Sequence, residues 1–438
     1  MKQRIRTNWP FLRSENLTIE RAEGVHLYTA DGRTILDAAG GAIVSNIGHG
    51  RARVAKRVAE VTADCTYVVP PWTTPSRQAL VEALEANWLP EGLRRIHITS
   101  GGSEAVEAAV KMALQYHAAR GEPDRRQIIS RSVSYHGTTL ATTSLSGHPA
   151  RKRGLDHALS TNITVPTPYP LRCPLGSHHA DAGRFYIENL RGTILSEGPE
   201  NIAALLAEPI TGSSGGALVP PDDYWAAARE ICDEFGLLLI LDEVMTGFGR
   251  TGKTFAYRHW GIEPDILISG KGLAGGYAPL GGVYASEAVG STLQDAGMNV
   301  MFHTFGAHPA ACAAGAEVLN IMAEEQLVEQ AARKGERLKL LLQEAFDQHP
   351  HVAEVRGKGL LLAIEVVRDR ATLEPYAERD AISNRIVGKA LGKGVFFYGG
   401  GTGEVRDIVC MGPAFIIEEA HLTTMVEVLL EAVNEVTT

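Results

Sequence analysis

The sequence has no long hydrophobic run. Its longest strongly apolar block, LLLIL at residues 237–241, is far shorter than the roughly 18–20 residues that span a bilayer. The first twenty residues are basic and contain no apolar core, so we expect neither a secretory signal nor a membrane segment. An excess of positive charge is also lacking. The 438 residues carry a formal net charge of -9, which argues against nucleic acid as a partner, because phosphate backbones bind basic surfaces.

Cysteine is scarce as well. The five cysteines are scattered, odd in number and form no C-x-x-C pair, so we expect neither a disulfide framework nor a bound metal such as zinc. The composition therefore favours a reduced, cytoplasmic protein. Internal repeats and low-complexity tracts are absent too, and the length suffices for two or three domains.

Short apolar runs alternate with helix-length stretches through the middle of the chain. Strands that are apolar on both faces are what a parallel sheet covered by helices requires. Apolar residues at helical spacing predict a helix over Ser103–Ala119, and a second is expected over Pro220–Phe235. The pattern predicts an α/β fold with a mostly parallel central sheet. The predicted strands are at residues 128–130, 163–165, 204–210, 237–242 and 265–270.

The sequence changes in character beyond about residue 315. A long helical region is followed by a strand pair within residues 352–367 and by another helix. Further strands are expected near Val395–Tyr398 and Asp407–Met411. This order of elements is typical of an α+β unit.

The N-terminal part is expected to belong to the same unit. Alternating apolar and polar residues around Asp31-Gly32 predict a hairpin. We therefore expect a large α/β domain over residues 51–319 and a smaller α+β domain built from residues 1–50 and 320–438.

Residues 237–254, LLLILDEVMTGFGRTGKT, match two motifs of nucleotide hydrolases. GFGRTGKT fits the phosphate-loop pattern G-x-x-x-x-G-K-[ST], and LLLILDE fits a strand with a magnesium-binding carboxylate. In those enzymes the motifs lie on separate neighbouring strands, whereas here Asp242 precedes Gly247 by only five residues and no convincing helix follows. A nucleotide hydrolase that uses Lys253 remains an alternative, but the order of the motifs argues against it.

A carboxylate and a lysine follow two of the predicted strands. Asp242 ends the strand LLLILD, and Lys271 follows the next strand in the glycine-rich segment SGKGLAGGYAPLGG. Open α/β sheets bind ligands at the carboxyl ends of their strands. The pair therefore suggests a Schiff-base lysine and a carboxylate partner for a pyridinium nitrogen, as pyridoxal phosphate chemistry needs. The alternative is that Asp242 caps a turn and Lys271 is a solvated loop residue.

Three further segments fit a planar ligand that carries a phosphate. HITSGGSEAVEAAVKMA places Gly102 and Ser103 where a strand gives way to a helix, and helix starts bind phosphate, although Ser103 could equally be an ordinary N-cap. Tyr135 in SYHGTT follows another strand, where it either stacks on a ring or belongs to the core. Glu208 in ALLAEPITG ends a further strand, and a carboxylate there is unusual for pure scaffolding.

Together these residues resemble the class III pyridoxal-phosphate aminotransferases, which have the fold of aspartate aminotransferase (fold type I). The resemblance runs from about Gly24 to the C-terminus, and the motifs agree in order and spacing. The segments that carry it are SGGSEAVEAA, SYHG, AEPI, LILDEVMTGFGRTG, PDILISGKGLAGG and HTFGAHPAACAA.

The resemblance implies the catalytic roles. Lys271 forms the Schiff base with the cofactor and moves the proton between substrate and cofactor. Asp242 pairs with the pyridine nitrogen and keeps it protonated. Tyr135 stacks on one face of the cofactor ring, and Val244 packs on the other.

The resemblance also implies how the phosphate is held. Gly102 and Ser103 bind it within one subunit, while Thr304 of HTFG reaches the phosphate of the neighbouring subunit's cofactor. A homodimer is therefore part of the expected active site. The remaining residues that the resemblance assigns to cofactor binding are His136, Gly137 and Glu208.

Two departures from the family pattern concern the substrate. Many members that use α-amino acids or 2-oxoglutarate have an arginine that clamps a carboxylate, where this chain has Val409. Without that arginine, Glu208 must find other partners. Arg406 lies in or beside a glycine-rich loop and is either a solvated charge or the arginine that swings in for a carboxylate in the ω-amino acid or amine:pyruvate branch. Many amine transaminases also have Leu-Trp where this chain has Ala42-Ile43, so we expect a roomier, aliphatic wall at Ile43.

The motifs as a whole predict a transaminase. It would move an amino group from an ω-amino acid or primary amine to a keto acid such as pyruvate, through a Lys271 Schiff base in two ping-pong half-reactions. An enzyme that resembles dialkylglycine decarboxylase or an aminomutase remains an alternative, because it uses the same cofactor apparatus.

Overall fold

The apolar runs of the sequence form the largest sheet of the molecule. A computed structural model describes residues 17–298, 302–403 and 405–437. Within these residues a seven-stranded sheet has the order β4-β10-β9-β8-β7-β5-β6. The strands of the described chain are β1 Ile19–Glu23, β2 His26–Thr29, β3 Thr34–Asp37, β4 Arg95–Thr99, β5 Gln127–Arg131, β6 Ile163–Val165, β7 Ile202–Ala207, β8 Leu238–Asp242, β9 Ile266–Ser269, β10 Gly281–Ala285, β11 Val352–Lys358, β12 Leu361–Val366, β13 Val395–Phe396, β14 Tyr398–Thr402 and β15 Val405–Met411.

The central sheet is mostly parallel, which confirms the predicted fold class. Strands β5 to β9 pair in parallel, and β7, β8 and β9 are buried along their whole length. Strand β10 runs antiparallel to both β9 and β4. It was not among the predicted strands, because GGVYA begins with two glycines that carry no strand signal.

Helices cover both faces of this sheet. Helix α4 buries Ala105, Val106 and Ala109 against the apolar side chains of β8 and β9. No helix among the described residues is long and apolar enough to cross a bilayer. The helices are α1 Gly40–Ile43, α2 Ala52–Asp64, α3 Pro75–Asn87, α4 Gly102–Ala119, α5 Leu140–Leu145, α6 Pro149–Lys152, α7 Ala182–Glu197, α8 Tyr224–Phe235, α9 Glu287–Asp295, α10 Pro309–Glu324, α11 Leu327–Phe346, α12 Ile382–Gly392 and α13 Glu419–Thr437.

Two smaller sheets have the orders β1-β2-β3-β13 and β11-β12-β15-β14. The predicted hairpin is confirmed, because β2 and β3 pair antiparallel around the turn at Asp31-Gly32. The predicted strand pair within residues 352–367 is β11 and β12. Strand β13 pairs in parallel with β3, so an N-terminal and a C-terminal segment share one sheet. The domain bounds 51–319, 1–50 and 320–438 stay a prediction.

The segment that matches a phosphate loop lacks the structure of one. Residues 247–254 form consecutive turns, and the element that follows is a short 3-10 helix, Ala256–His259, rather than an α-helix. Lys253 is exposed, whereas Arg250 is buried and donates hydrogen bonds to the carbonyls of Ser45 and Pro413. Arg250 therefore links an N-terminal and a C-terminal segment to this loop, and the loop presents no helix N-terminus to an anion.

Candidate active site

The carboxyl ends of the parallel strands and the start of α4 surround one cavity of about 310 Å³. Parallel strands end at the same edge of a sheet, which brings residues far apart in sequence to a single site. Nine of the residues singled out from the sequence line it. They are Gly102, Ser103, Tyr135, His136, Gly137, Glu208, Asp242, Val244 and Lys271.

Asp242, the last residue of β8, is held by two donors. Its side chain is 4 % exposed. Nδ1 of His136 lies 2.8 Å from Oδ2 of the carboxylate, and the amide of Val244 donates to Oδ1 at 3.0 Å. Because a carboxylate accepts only, His136 carries its proton on Nδ1 in this contact. The carboxylate is therefore fixed in orientation at the cavity wall, where it can accept a hydrogen bond from a cationic N–H.

Lys271 follows β9 and has a left-handed backbone conformation with φ of 37°. A lysine pays a steric cost in this region, and such strain is typical of functional sites. Burial lowers the pKa of its amine to about 8, although the carboxylates of Asp242 and Glu208 oppose this and Arg250 adds to it. A larger fraction of this amine than of a free lysine is therefore neutral, and so nucleophilic, near neutral pH.

The N-terminus of α4 forms one end of the cavity. This end of the 18-residue helix has no side-chain cap, and the adjoining residues Ser100 and Gly101 also line the cavity. Unpaired amides and the helix dipole favour an anion at this position. The hydroxyl of Ser103 lies there too and accepts a hydrogen bond from the amide of Thr138 at 3.1 Å.

Two glycines keep this end of the cavity open. Gly137 has a φ of +139°, and a Cβ at this position would lie 2.6 Å from both Ser103 Oγ and Thr142 Oγ1. A Cβ on Gly102 would lie 3.1 Å from a methyl group of Val244. Gly137 is therefore required by close approach and backbone conformation, whereas a side chain at Gly102 would need Val244 to shift slightly.

Glu208 connects two loops at the wall of the cavity. Its carboxylate accepts hydrogen bonds from the amides of Tyr135 at 3.1 Å and Gly212 at 2.9 Å. Burial raises the pKa of this carboxyl group, with His136 and the two amides opposing. The partners that Glu208 was expected to need are thus backbone amides, and one of them positions Tyr135.

A second cavity, of about 460 Å³, adjoins the first and shares Tyr135, Met245 and Lys271 with it. Arg406 lines this second cavity. Val409 does not line it, and is fully buried in β15, where it pairs with Ile364 of β12.

Two predicted residues lie away from both cavities. Ile43 is buried in an apolar cluster with Tyr169 and Ile408, because α1 is kinked at Gly41, and its neighbours Ala42 and Val44 line the cavities instead. The structure therefore does not support Ile43 as a pocket wall.

Thr304 lies in an exposed turn ahead of α10 and lines neither cavity. Its contact with a neighbouring subunit stays a prediction.

Several lining residues were missed by sequence reasoning. Met245 and Ser213 line both cavities, and residues 278–280 line the first. All lie in irregular segments, where the side chains carry no chemistry that marks them. The signal that could have found Met245 was its position three residues after Asp242.

The donor set fits pyridoxal 5'-phosphate. An open, glycine-lined helix N-terminus suits the phosphate, a buried carboxylate suits the ring nitrogen, and an amine with a depressed pKa suits the aldehyde. The unpartnered, buried Nε2 of His136 shows that the polar groups here are not all satisfied within the described protein.

Comparison with known proteins agrees with this chemistry. A family model described as aminotransferase class-III matches residues 12–433. A taurine–pyruvate aminotransferase of Rhodobacter capsulatus is 35% identical, covering 96% of this chain and 92% of its own. A putrescine–pyruvate aminotransferase of Pseudomonas aeruginosa is 32% identical, covering 95% and 90%. The crystal structure of an omega transaminase from Pseudomonas jessenii in complex with PMP superposes with a TM-score of 0.90 at 32% identity, covering 99% of this chain and 96% of that one.

Proposed function

The chain belongs to the class III aminotransferases, which depend on pyridoxal phosphate, and on that premise we propose that it moves an amino group from an ω-amino acid or a primary amine to a keto acid such as pyruvate. The observation that carries the proposal is that Lys271, Asp242 and the start of α4 line one cavity. Pyruvate as the acceptor is supported by the two pyruvate-dependent relatives. The choice of donor class is supported by Val409, which stands where a fixed carboxylate-binding arginine is common.

The residues of the first cavity would divide the work of holding the cofactor. Bound pyridoxal phosphate supplies an aldehyde for amines and a ring that accepts electrons. The start of α4, with Gly102 and Ser103, would bind the phosphate, and Asp242 would accept a hydrogen bond from the ring nitrogen. Tyr135 and Val244 would pack on the two faces of the ring, with Gly137 leaving space beside the phosphate.

Lys271 would perform the proton transfer as the Schiff-base lysine. Its Nζ would hold the cofactor at the aldehyde and, when free, would move the proton between the substrate carbon and the cofactor. The lowered pKa favours the neutral amine that this step needs. The reaction then proceeds in two ping-pong half-reactions, of which the second repeats the proton transfer in the opposite direction.

The active enzyme would be a homodimer in which Thr304 reaches the partner's phosphate. The exposed turn that holds Thr304 also exposes Phe305, whose ring centroid lies 6.3 Å from that of Tyr67, another exposed aromatic side chain. Exposed apolar surface of this kind is typical of a protein interface. Light scattering would measure the mass in solution, and a monomer that retains full activity would contradict the shared site.

Arg406 would be a mobile carboxylate-binding residue. Its Nη1 reaches only the carbonyl of Gly403 at 3.2 Å, while its Nε has no partner among the described residues. Arg406→Ala should weaken the half-reaction with a keto acid more than the half-reaction with an apolar amine. Arg379→Ala, at a largely exposed position, is the matched control. Equal losses in both half-reactions would contradict a mobile arginine.

The visible spectrum of the purified protein tests the function as a whole. We expect a yellow protein that bleaches when a simple amine is added without an acceptor and regains its colour with pyruvate. Lys271→Ala should not bleach. Release of carbon dioxide from a dialkylated amino acid would favour a decarboxylase instead. A colourless protein that does not bind added pyridoxal phosphate would overturn the proposal.

A further inference from the structure

The second cavity has a strongly cationic lining. Arg151, from α6, and Arg406, from the strand that follows the glycine-rich turn, both line it. Among the described residues that line this cavity, none is an aspartate or a glutamate. Asp407, beside Arg406, accepts a hydrogen bond from the amide of Ser383 and does not line the cavity. A space with two guanidinium groups and no opposing lining acid favours an anionic occupant.

Arg151 has an unusual position for a surface arginine. Its guanidinium lies over the ring of Tyr135, with 4.7 Å between the guanidinium carbon and the ring centroid. Its backbone amide donates to the carbonyl of His148, but no hydrogen bond or salt bridge of its guanidinium is found among the described residues, so the five side-chain N–H donors are available to a ligand. The ring contact holds the charge near the residue that would stack on the cofactor, instead of leaving it free in solvent.

The polar groups around the two arginines are also incompletely satisfied. His148 Nδ1, Ser214 Oγ and Arg406 Nε are buried and have no hydrogen-bond partner among the described residues. All three residues line the second cavity. Buried donors in native proteins are nearly always paired, so their common location indicates a polar ligand or ordered water in this space.

We infer that Arg151 and Arg406 together bind a terminal acidic group on the amino donor, so that the preferred donors are ω-amino acids rather than simple alkyl amines. This inference rests on the proposed function. Because Tyr135 and Lys271 line both cavities, a donor whose amine meets Lys271 extends its other end toward the two arginines. A carboxylate or a sulfonate suits the fork of donors that a guanidinium presents.

The test compares charged and uncharged donors in the half-reaction of the holoenzyme. Arg151→Gln removes the charge, Arg151→Lys restores it, and Arg153→Gln removes an exposed arginine that does not line the cavity. The donors are β-alanine, 4-aminobutanoate, 2-aminoethanesulfonate and, as the uncharged comparison, butylamine. Bleaching of the cofactor absorbance gives the KM and the limiting rate for each.

We expect Arg151→Gln to raise the KM for at least one acidic donor by about tenfold to hundredfold, as loss of a charge-assisted hydrogen bond implies. The KM for butylamine and the limiting rates should stay within about twofold. Arg151→Lys should recover part of the loss, and Arg153→Gln should match the parent enzyme. Whether carboxylates or the sulfonate respond more identifies the acidic group.

Two results would overturn the inference. One is an unchanged KM for every acidic donor in Arg151→Gln. The other is an equal change in the KM for acidic donors and for butylamine, together with a weaker affinity for the cofactor. That result would mean that Arg151 only positions Tyr135. If the parent enzyme bleaches with no donor at all, the proposed function fails separately. Calorimetric binding of the non-reactive anion propanoate would then still test Arg151, because the variant should bind it more weakly.

Discussion

Raising the pH from about 7 to about 9 should accelerate capture of pyridoxal phosphate by the cofactor-free protein, because the reactive form of Lys271 is the neutral amine. Burial lowers the pKa of this amine to about 8 from its ordinary value of 10.5. Below the folded-state pKa the amine is mostly protonated and unreactive, and above it the amine is mostly neutral. The rate should therefore rise with pH and reach half its maximum near pH 8.

The expected magnitude follows from the two pKa values. With a pKa of about 8, about 9 % of the Lys271 amines are neutral at pH 7 and about 90 % at pH 9, a rise of about tenfold. With the ordinary lysine pKa of 10.5, only about 0.03 % would be neutral at pH 7, about 300-fold less. Asp242→Asn should move the midpoint below 8, because the Asp242 carboxylate raises the pKa of Lys271 and the amide does not.

Stopped-flow absorbance measures this rate over a series of buffers. The phosphate of the cofactor has its second pKa near about 6, so its charge changes little above pH 7. Lys253→Ala removes an exposed lysine and should leave the midpoint unchanged, whereas Lys271→Ala should show no covalent capture. A midpoint near about 10 in the parent protein, or an upward shift in Asp242→Asn, would refute the account of burial and charge around Lys271.

Three other substitutions test the structure around the site. Gly137→Ala places a Cβ 2.6 Å from Ser103 Oγ at a φ of +139°, so cofactor titration should show at least about tenfold weaker binding. Gly121→Ala is the control, because a Cβ there meets open space; it should leave cofactor binding unchanged and lower the free energy of unfolding by about 1 kcal/mol. Arg250→Met leaves the carbonyls of Ser45 and Pro413 without their buried donor and should lower the free energy of unfolding in denaturant by about 3 kcal/mol. An unchanged denaturation midpoint would contradict a stabilising role for these two hydrogen bonds. Lys253→Ala should keep amino transfer within about twofold of the parent rate. If the parent protein hydrolyses ATP and Lys253→Ala abolishes that activity, the phosphate-loop interpretation is supported instead.

The first cavity could be anticipated because its main parts are local features of the sequence. Asp242 and Lys271 directly follow apolar runs, and the carboxyl ends of parallel strands meet at one edge whatever their separation along the chain. Gly102 and Ser103 mark a helix start by their position before a helical pattern. The functional roles of these residues remain predictions, but their common location follows from strand direction alone.

The second cavity could not be anticipated to the same extent. Its lining comes from α1, α6 and α12, from irregular segments and from the strands β14 and β15, which meet only through tertiary packing. Arg151 was not singled out from the sequence, because one arginine in a basic stretch carries no spacing signal. Ile43 was singled out, but because α1 is kinked its side chain is buried in an apolar cluster.

Local sequence patterns account for the mostly parallel sheet, the strand ends that carry Asp242 and Lys271, and the helix start at Gly102. Each of these depends on periodicity and neighbouring residues, which act over a few positions of chain. Tertiary structure alone decided the antiparallel insertion of β10, the pairing of β13 with β3 and the meeting of two arginines over one cavity. Pairing and side-chain direction across hundreds of residues depend on how whole elements pack, and no local pattern encodes that outcome.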